Sequence, residues 1–290
     1  MTDYLLHILV QGCLLSTLAV SLNLLAGYCG LVSLGQMTFY AIGAYSAALL
    51  AAATSLGYVL ALPVALGLAG LLAAAQATAT SNLKEDEFAI ATFAMHAVFW
   101  MLLMNWVELT NGPLGIPNVP AIRVIGFSFD GPSGFFPLAL LLLGASLLVV
   151  WQLQRRPFGM LMRMARDDEE LAESYGRNVH ALRRSVWIVA AAIASGAGLL
   201  QASYVGYVNP VSFSSMESTL LLAIVIIGGP GTFWGPVIGA FVIIIVPEIL
   251  RFIGFPASQA ANIRQILLGA VLVAVIFRVS ITRRRSLFSP

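Results

Sequence analysis

The side chains that could do chemistry are concentrated in one stretch, residues 155–184. Twelve of the 28 Asp, Glu, Lys and Arg residues lie there. By contrast, none of these four residue types occurs between Asp3 and Lys84. Because charged side chains avoid an apolar interior, a charged stretch in such a chain is expected to face water and to meet a partner there.

Within that stretch, Glu170, Ala172 and Gly176 follow the spacing E-x-A-x-x-x-G. The run from Arg163 to Tyr175 consists mostly of good helix formers, and a glycine can end a helix. The sequence therefore predicts one short helix centred on 163–176, of a kind that can dock into a groove on a partner. A solvated loop between two membrane spans is the alternative, since charge runs usually are solvated.

A second set of polar residues lies in or beside apolar segments. Polar groups are costly in lipid, so they tend to face a bundle interior or a solute path. For single serines and threonines the alternative is a hydrogen bond to their own helix. The residues predicted to line a solute path are Asn23, Ser33, Gln36, Thr38, Asn111 and Glu217. Glu248 and Arg251, three residues apart, are expected to pair near a membrane surface.

Composition indicates the fold class. The chain is 59% hydrophobic and 10% charged, whereas soluble domains average about 25% charged residues. Apolar stretches long enough to cross a bilayer recur along the whole chain. A large soluble helical core would need polar faces on its outer helices, and segments such as Leu138–Val150 have none. The prediction is an all-α polytopic membrane protein, with 1–290 as a single transmembrane domain and 153–184 as a loop within it.

Hydropathy predicts about 8–10 transmembrane or re-entrant helices. The segments lie at roughly 5–26, 35–54, 57–79, 88–106, 134–152, 185–206, 217–229, 232–253 and 263–279. Glycine, proline or polar residues interrupt the chain at 27–36 and again at 228–236. Interruptions at corresponding places are typical of transporter repeats. The alternative is that glycines are simply common in membrane helices.

The arginines predict an orientation. Residues 153–184 hold seven arginines, and the C-terminal tail holds Arg278, Arg283, Arg284 and Arg285. Both regions are therefore expected in the cytoplasm. The stretch 107–133 has one arginine and many glycines and prolines, so it is expected on the outer side. Nine crossings place the N-terminus outside, whereas a re-entrant segment near 27–40 reverses that, and both possibilities stay open.

Several classes of function have no support in the sequence. There is no P-loop, and His7, His96 and His180 lack zinc-type spacing. No nucleophile elbow is present, so we expect neither an enzyme nor a metal site. A net charge of +2 makes nucleic acid an unexpected partner. The two cysteines, Cys13 and Cys29, are expected to be apolar packing residues.

Four stretches, in this order, resemble a known family: 27–45, 110–116, 157–169 and 227–240. The first reads Gly-Tyr-Cys-Gly-Leu-Val-Ser-Leu-Gly-Gln and continues to Tyr45, and the last reads Ile-Gly-Gly-Pro-Gly-Thr-Phe-Trp-Gly-Pro-Val-Ile-Gly-Ala. The chain is similar to the permeases of branched-chain amino-acid ABC importers, the M-type (LivM-like) subunit. The resemblance implies the ABC importer permease fold, the bacterial inner membrane and import by alternating access.

The resemblance also implies partners. Family permeases pair with a second homologous permease, two cytoplasmic ATPases and an extracytoplasmic binding protein. ATP and Mg²⁺ are held by the ATPases, and no cofactor is expected on this chain. The charged stretch is then a coupling loop that docks on an ATPase, although Leu171 replaces one alanine of the family pattern. The residues implied in coupling are Arg163, Arg166, Asp167, Asp168, Glu169, Glu170, Ala172 and Gly176.

Two alternatives remain at this level. Urea and short-chain amide importers use similar permeases, which the motifs barely distinguish. A stand-alone secondary transporter or channel would need ion-coupling groups inside the membrane, and Glu217 is the one carboxylate nominated for that role.

Overall fold

The computed structural model describes residues 2–53, 57–81, 83, 85–124, 127–252 and 269. Apart from residue 269, the ninth predicted segment, near 263–279, falls outside these residues, and so do the C-terminal arginines, so those predictions stay predictions.

The described chain is built almost entirely of α-helices, because only helices and closed barrels satisfy every backbone polar group in lipid. The helices are α1 (Thr2–Asn23), α2 (Gln36–Ala53), α3 (Gly57–Ala79), α4 (Glu85–Asn105), α5 (Val107–Thr110), α6 (Gly131–Arg155), α7 (Pro157–Asp167), α8 (Glu169–Ser174), α9 (Val179–Val205), α10 (Ser215–Gly228) and α11 (Gly235–Phe252). Five of the described helical segments are long and apolar enough to span a bilayer, and α10 and α11 supply shorter apolar helices. The polytopic all-α prediction is confirmed.

Four two-residue strands lie at one end of the bundle. β1 (Ile116–Pro117) pairs antiparallel with β4 (Tyr207–Val208), and β2 (Arg123–Val124) pairs antiparallel with β3 (Phe127–Ser128). The first pair ties the segment after α5 to the end of α9. This glycine- and proline-rich region, residues 106–130, is called the loop end below.

The centre of the bundle is formed by α1 and α9, whose most apolar windows are each 61% buried, against 22% for α4. α2 packs closely on α9 through glycines. A Cβ atom added to Gly43 would overlap the carbonyl oxygen of Ser195, and one added to Gly198 would overlap that of Tyr40. Small residues that let helix backbones approach closely are the usual means of packing membrane helices.

The chain is interrupted at both predicted places. After Asn23 the helix continues as a π-helical turn, Leu24–Tyr28, and α2 begins only at Gln36. The second interruption separates α10 from α11, with positive φ angles at Gly229 and Gly231.

The course of α1 relates the two ends of the bundle. Near its start, the His7 Nδ1 atom lies 2.6 Å from the Tyr204 hydroxyl, close to the loop end. At its far end, Gly27 contacts Arg166, which belongs to the charged stretch. The N-terminus of α1 is therefore at the loop end, and the stretch 153–184 is at the opposite end, called the basic end below.

The predicted single helix over 163–176 is wrong in one respect, because two helices stand there. α7 ends at Asp167, and Asp168 has extended backbone angles of φ −158° and ψ 106°. The Asp168 carboxylate instead accepts a 2.9 Å hydrogen bond from the Leu171 backbone N–H and caps α8. Aspartate is a weak helix former and a strong N-cap, so it divides the run. Gly176, with φ +70°, follows α8 as predicted.

Candidate functional site

Several predicted coupling residues hold α7 and α8 in place rather than facing outward. Ala172 is 1% exposed, within a hydrophobic cluster that includes Val179 of α9. Both carboxylate oxygens of Glu169 accept hydrogen bonds from the Arg183 guanidinium, at 2.6 and 2.8 Å. Such a bidentate pair fixes the geometry of the two side chains. It therefore ties α8 to the start of the central helix α9.

Other coupling candidates are free to meet a partner. Arg163, Asp167 and Glu170 are exposed, and so is Gly176. They lie on two short helices that project from the basic end between the long helices α6 and α9. The surface consists of mixed charges on a rigid support, which suits docking to a soluble protein.

Arg166 is exposed as well, but its guanidinium group contacts the membrane segments. Its Nη1 atom donates a 2.5 Å hydrogen bond to the carbonyl oxygen of Gly27, in the π-helical turn. It also lies against both chain interruptions: a Cβ atom on Gly30 would be 3.0 Å from Arg166 Cγ, and one on Gly231 would be 3.0 Å from Nη1. Arg166 thus links the charged stretch to both interrupted membrane segments.

Asn23 joins the two interruptions directly. Its side-chain nitrogen donates to the Thr232 carbonyl at 3.0 Å, and its side-chain oxygen accepts from the Gly231 backbone N–H at 2.9 Å. The amide is 2% exposed. We call Asn23, Gly27, Arg166, Gly231 and Thr232 the break junction. The two interruptions that the sequence marked as similar are in contact, although nothing in their similarity predicted which atoms meet.

Three more predicted path residues are also buried and bonded within the chain. Gln36 Nε2 donates to Ser21 Oγ at 2.9 Å and to the Ala190 carbonyl at 3.1 Å. Thr38 Oγ1 lies 3.0 Å from His96 Nδ1. Ser33 Oγ accepts a hydrogen bond from the Gly35 backbone N–H at 3.2 Å.

Asn111 lies in the segment after α5 at the loop end. It adopts a left-handed conformation with φ 60°, and its side chain donates to the Gly115 carbonyl at 2.8 Å. None of Asn111, Asn23, Ser33, Gln36 and Thr38 lines the large cleft described next. Their role in a solute path stays a prediction.

An open cleft of about 490 Å³ lies between α1, α2, α11, the end of α9 and the start of α10. Of the predicted path residues, Glu217 lines it. Glu248 lines it as well and was missed, because its place in the sequence indicated pairing with Arg251. In the structure the Tyr4 hydroxyl, at the start of α1, donates a hydrogen bond to Glu248. The side chain of Arg251 is outside the described part of the chain, so that pairing stays a prediction.

A group of possible metal ligands stands at the surface of the basic end, which the spacing of the histidines did not predict. Atoms of Glu169, Glu173 and His180 lie within 4.8 Å of one another. Glu169 is already bonded to Arg183, and exposed acidic groups often assemble without a metal. The group is better described as part of the contact between α8 and α9.

Comparison with known families gives one broad match. The family described as "Branched-chain amino acid transport system / permease component" matches residues 4–276. No solved structure matches the chain.

Comparison with curated proteins gives matches of the same kind. The chain is 34% identical, over 261 residues, to the high-affinity branched-chain amino acid transport system permease protein LivM of Escherichia coli (strain K12). That alignment covers 81% of this chain and 60% of the relative, so the chain spans about 60% of its length. The autoinducer 2 import system permease protein LsrC of Klebsiella pneumoniae is 30% identical, over 58% of this chain and 48% of that protein.

Proposed function

Because the chain belongs to the family of permease components of branched-chain amino acid transport systems, we propose that it is the membrane subunit of an ABC importer for these amino acids. It would act by alternating access in the bacterial inner membrane and would itself hydrolyse no ATP. The observation that carries the proposal is the family match over residues 4–276. The names of the LivM relatives favour branched-chain amino acids over urea or short amides.

The proposal assigns the basic end to the cytoplasm, together with the C-terminus. Two ATPase subunits that hold ATP and Mg²⁺ dock there on α7 and α8. The exposed side chains of Arg163, Asp167 and Glu170 support this surface. A push on α7 would reach the interrupted segments through the hydrogen bond from Arg166 to Gly27. This arrangement gives the charged stretch a defined route into the membrane domain.

The proposal assigns the loop end to the outer side, where a binding protein delivers the solute. The cleft lined by Glu217 is then the outer part of the solute path, and a second homologous permease completes it. A volume of about 490 Å³ falls within the range of small-molecule sites. Asn23 and Gln36 are buried among the helices and hydrogen-bonded within the chain, so they would position the helices around that path.

Co-purification with the affinity-tagged full-length chain tests the assembly. Two ATPase chains and a second permease are expected, and the reconstituted complex should take up leucine only with ATP and the cognate binding protein. Uptake of leucine by this chain alone, without ATP, would instead establish a secondary transporter. Calorimetry on the cognate binding protein identifies the solute, with urea and short amides as competitors.

Charge reversal tests the docking surface. Glu170→Lys should separate ATP hydrolysis from leucine uptake while the assembled membrane domain remains folded. Glu108→Lys is the matched control, since Glu108 is exposed on α5 at the loop end. Coupling at the wild-type level in Glu170→Lys contradicts docking through this side chain.

A further inference from the structure

The cleft at the loop end is lined by acids and amides. Its side chains include the carboxylates of Glu217 and Glu248 and the amides of Gln11 and Gln201. No Lys, Arg or His is among the residues known to line it in the described ranges. Carboxylates are acceptors only when ionised, so the walls are rich in groups that accept hydrogen bonds and attract positive charge.

Glu217 is the cleft carboxylate without a bonded partner in the described chain. It stands in the first turn of α10 and is half-buried in the cleft wall. Within the part of the chain that the structure describes, it makes no hydrogen bond and no ion pair. Glu248 differs, because the Tyr4 hydroxyl already donates to it. Because Glu217 is half-buried and has no bonded partner in the described chain, a positive group from outside this chain would stabilise it.

Most of the remaining wall is apolar. Leu15 and Leu18 of α1 and Ile243 and Ile244 of α11 line it. The cleft thus places a carboxylate and an aliphatic surface around one space of about 490 Å³. Small-molecule sites usually have this composition, with mostly apolar walls and a few polar groups that fix orientation.

We infer that this cleft binds the ammonium group of a small aliphatic solute, with Glu217 as its main acceptor and Glu248 as a second. The aliphatic part of the solute lies against the wall of α1 and α11. The inference rests on the proposed function, and it adds the chemical class that the permease itself recognises. It also gives the carboxylate of Glu217 a role in a permease for apolar side chains.

Three solutes of similar shape test which charged group the cleft recognises. Leucine has both charged groups, 3-methylbutylamine keeps only the ammonium, and 4-methylpentanoate keeps only the carboxylate. Binding is measured by calorimetry on the complex purified with the tagged chain in nanodiscs, without the binding protein. We expect leucine and the amine to bind and the acid to bind at least about tenfold more weakly, since charge-assisted hydrogen bonds are strong.

Variants locate the site. Glu217→Gln should weaken binding of the amine about tenfold or more, and Glu248→Gln should weaken it less, because Tyr4 shares that carboxylate. Glu108→Gln, at the same end but outside the cleft, should change nothing. The inference is overturned if Glu217→Gln keeps wild-type affinity, if the acid binds as well as the amine, or if none of the three binds.

Leucine uptake by the wild-type complex distinguishes a failure of the ammonium site from a failure of the proposed function. If the complex imports leucine with ATP but Glu217→Gln binds and imports normally, the proposed function stands and the ammonium site is wrong. If the complex imports no branched-chain amino acid, the proposed function itself is contradicted. Should a basic residue of a second permease pair with Glu217 instead, the amine will not bind and Glu217→Gln will loosen the complex, which also overturns the inference.

Discussion

Polar side chains at the two ends of the bundle have different surroundings. At the basic end, Asn23 and Arg166 bond to backbone groups of the same chain, and both interruptions are held together. At the loop end, Glu217 lines an open cleft with no hydrogen bond or ion pair to the described residues. Because buried polar groups are costly without partners, the hydrogen-bonded groups at the basic end indicate a structural role, whereas Glu217 is accessible from the cleft. We therefore expect substitutions in the break junction to change stability and substitutions of Glu217 to change binding.

The largest loss of stability is expected from Gly27→Ala. The new methyl group would overlap the Asn23 side chain and the Gly231 backbone nitrogen, so the junction would have to open. Overpacking typically costs about 1–3 kcal/mol, and we expect the upper part of that range or more, since two hydrogen bonds are also disturbed. Denaturant titration in mixed micelles measures the free energy of unfolding. Gly67→Ala is the control: nothing lies near its Cβ position in α3, so it should be neutral or slightly stabilising.

Asn23→Leu should be the next most damaging. The side chain keeps its approximate size but loses both hydrogen bonds, which leaves the Gly231 N–H and the Thr232 carbonyl without a partner. A loss of about 2–4 kcal/mol in the free energy of unfolding is expected. The same titration measures it, with Asn105→Leu as the control, because Asn105 is exposed and bonds only within its own helix. Equal stability of the two variants would show that the Asn23 hydrogen bonds do not stabilise the junction.

Arg166→Met should reduce stability by a smaller amount, about 1 kcal/mol, because Arg166 is largely exposed and makes one hydrogen bond into the junction. Its stronger expected effect is on coupling: ATP hydrolysis should persist while leucine uptake falls. Arg156→Met is the control at the start of the same helix, since Arg156 is exposed and is not part of the proposed docking surface. If Arg156→Met uncouples the complex as strongly as Arg166→Met, the contact with Gly27 is not the route.

Glu217→Gln should have the smallest effect on stability, within about 0.5 kcal/mol of wild type. Removing a charge that has no partner in the described chain takes away nothing that the fold uses. Combined with a loss of amine binding, that result would complete the contrast with Asn23. A large destabilisation by Glu217→Gln would show that the Glu217 carboxylate makes stabilising contacts in the assembled complex.

The helices were predictable because their signal is local. A run of apolar residues can cross lipid only as a helix, so eight of the nine predicted segments coincide with described helices. The interruption at 27–36 was also marked by its glycines. The division of the charged stretch at Asp168 was less evident, because helix propensity favoured one continuous helix. In the structure the Asp168 carboxylate instead accepts the capping hydrogen bond that starts a second helix.

The roles of single side chains were much harder to predict. Asn23 was predicted for a solute path, which stays a prediction, and nothing in the sequence indicated its hydrogen bonds to residues 208 and 209 positions away. Arg166 carries the same charge as Arg163 and lies three residues further along one helix, and it is Arg166 that donates a hydrogen bond to the Gly27 carbonyl in the interruption. Glu248 was assigned to a surface pair and lies in the cleft with Tyr4. Each outcome depends on which distant segment packs alongside.

The sequence by itself determined the membrane environment, the approximate helices, the charged stretch and the family, because composition, hydropathy and motif order are properties of neighbouring residues. Only the tertiary structure decided which polar groups are paired and which line the cleft. Pairing needs two groups within about 3 Å, and partners that are two hundred residues apart in the chain meet only when the helices pack.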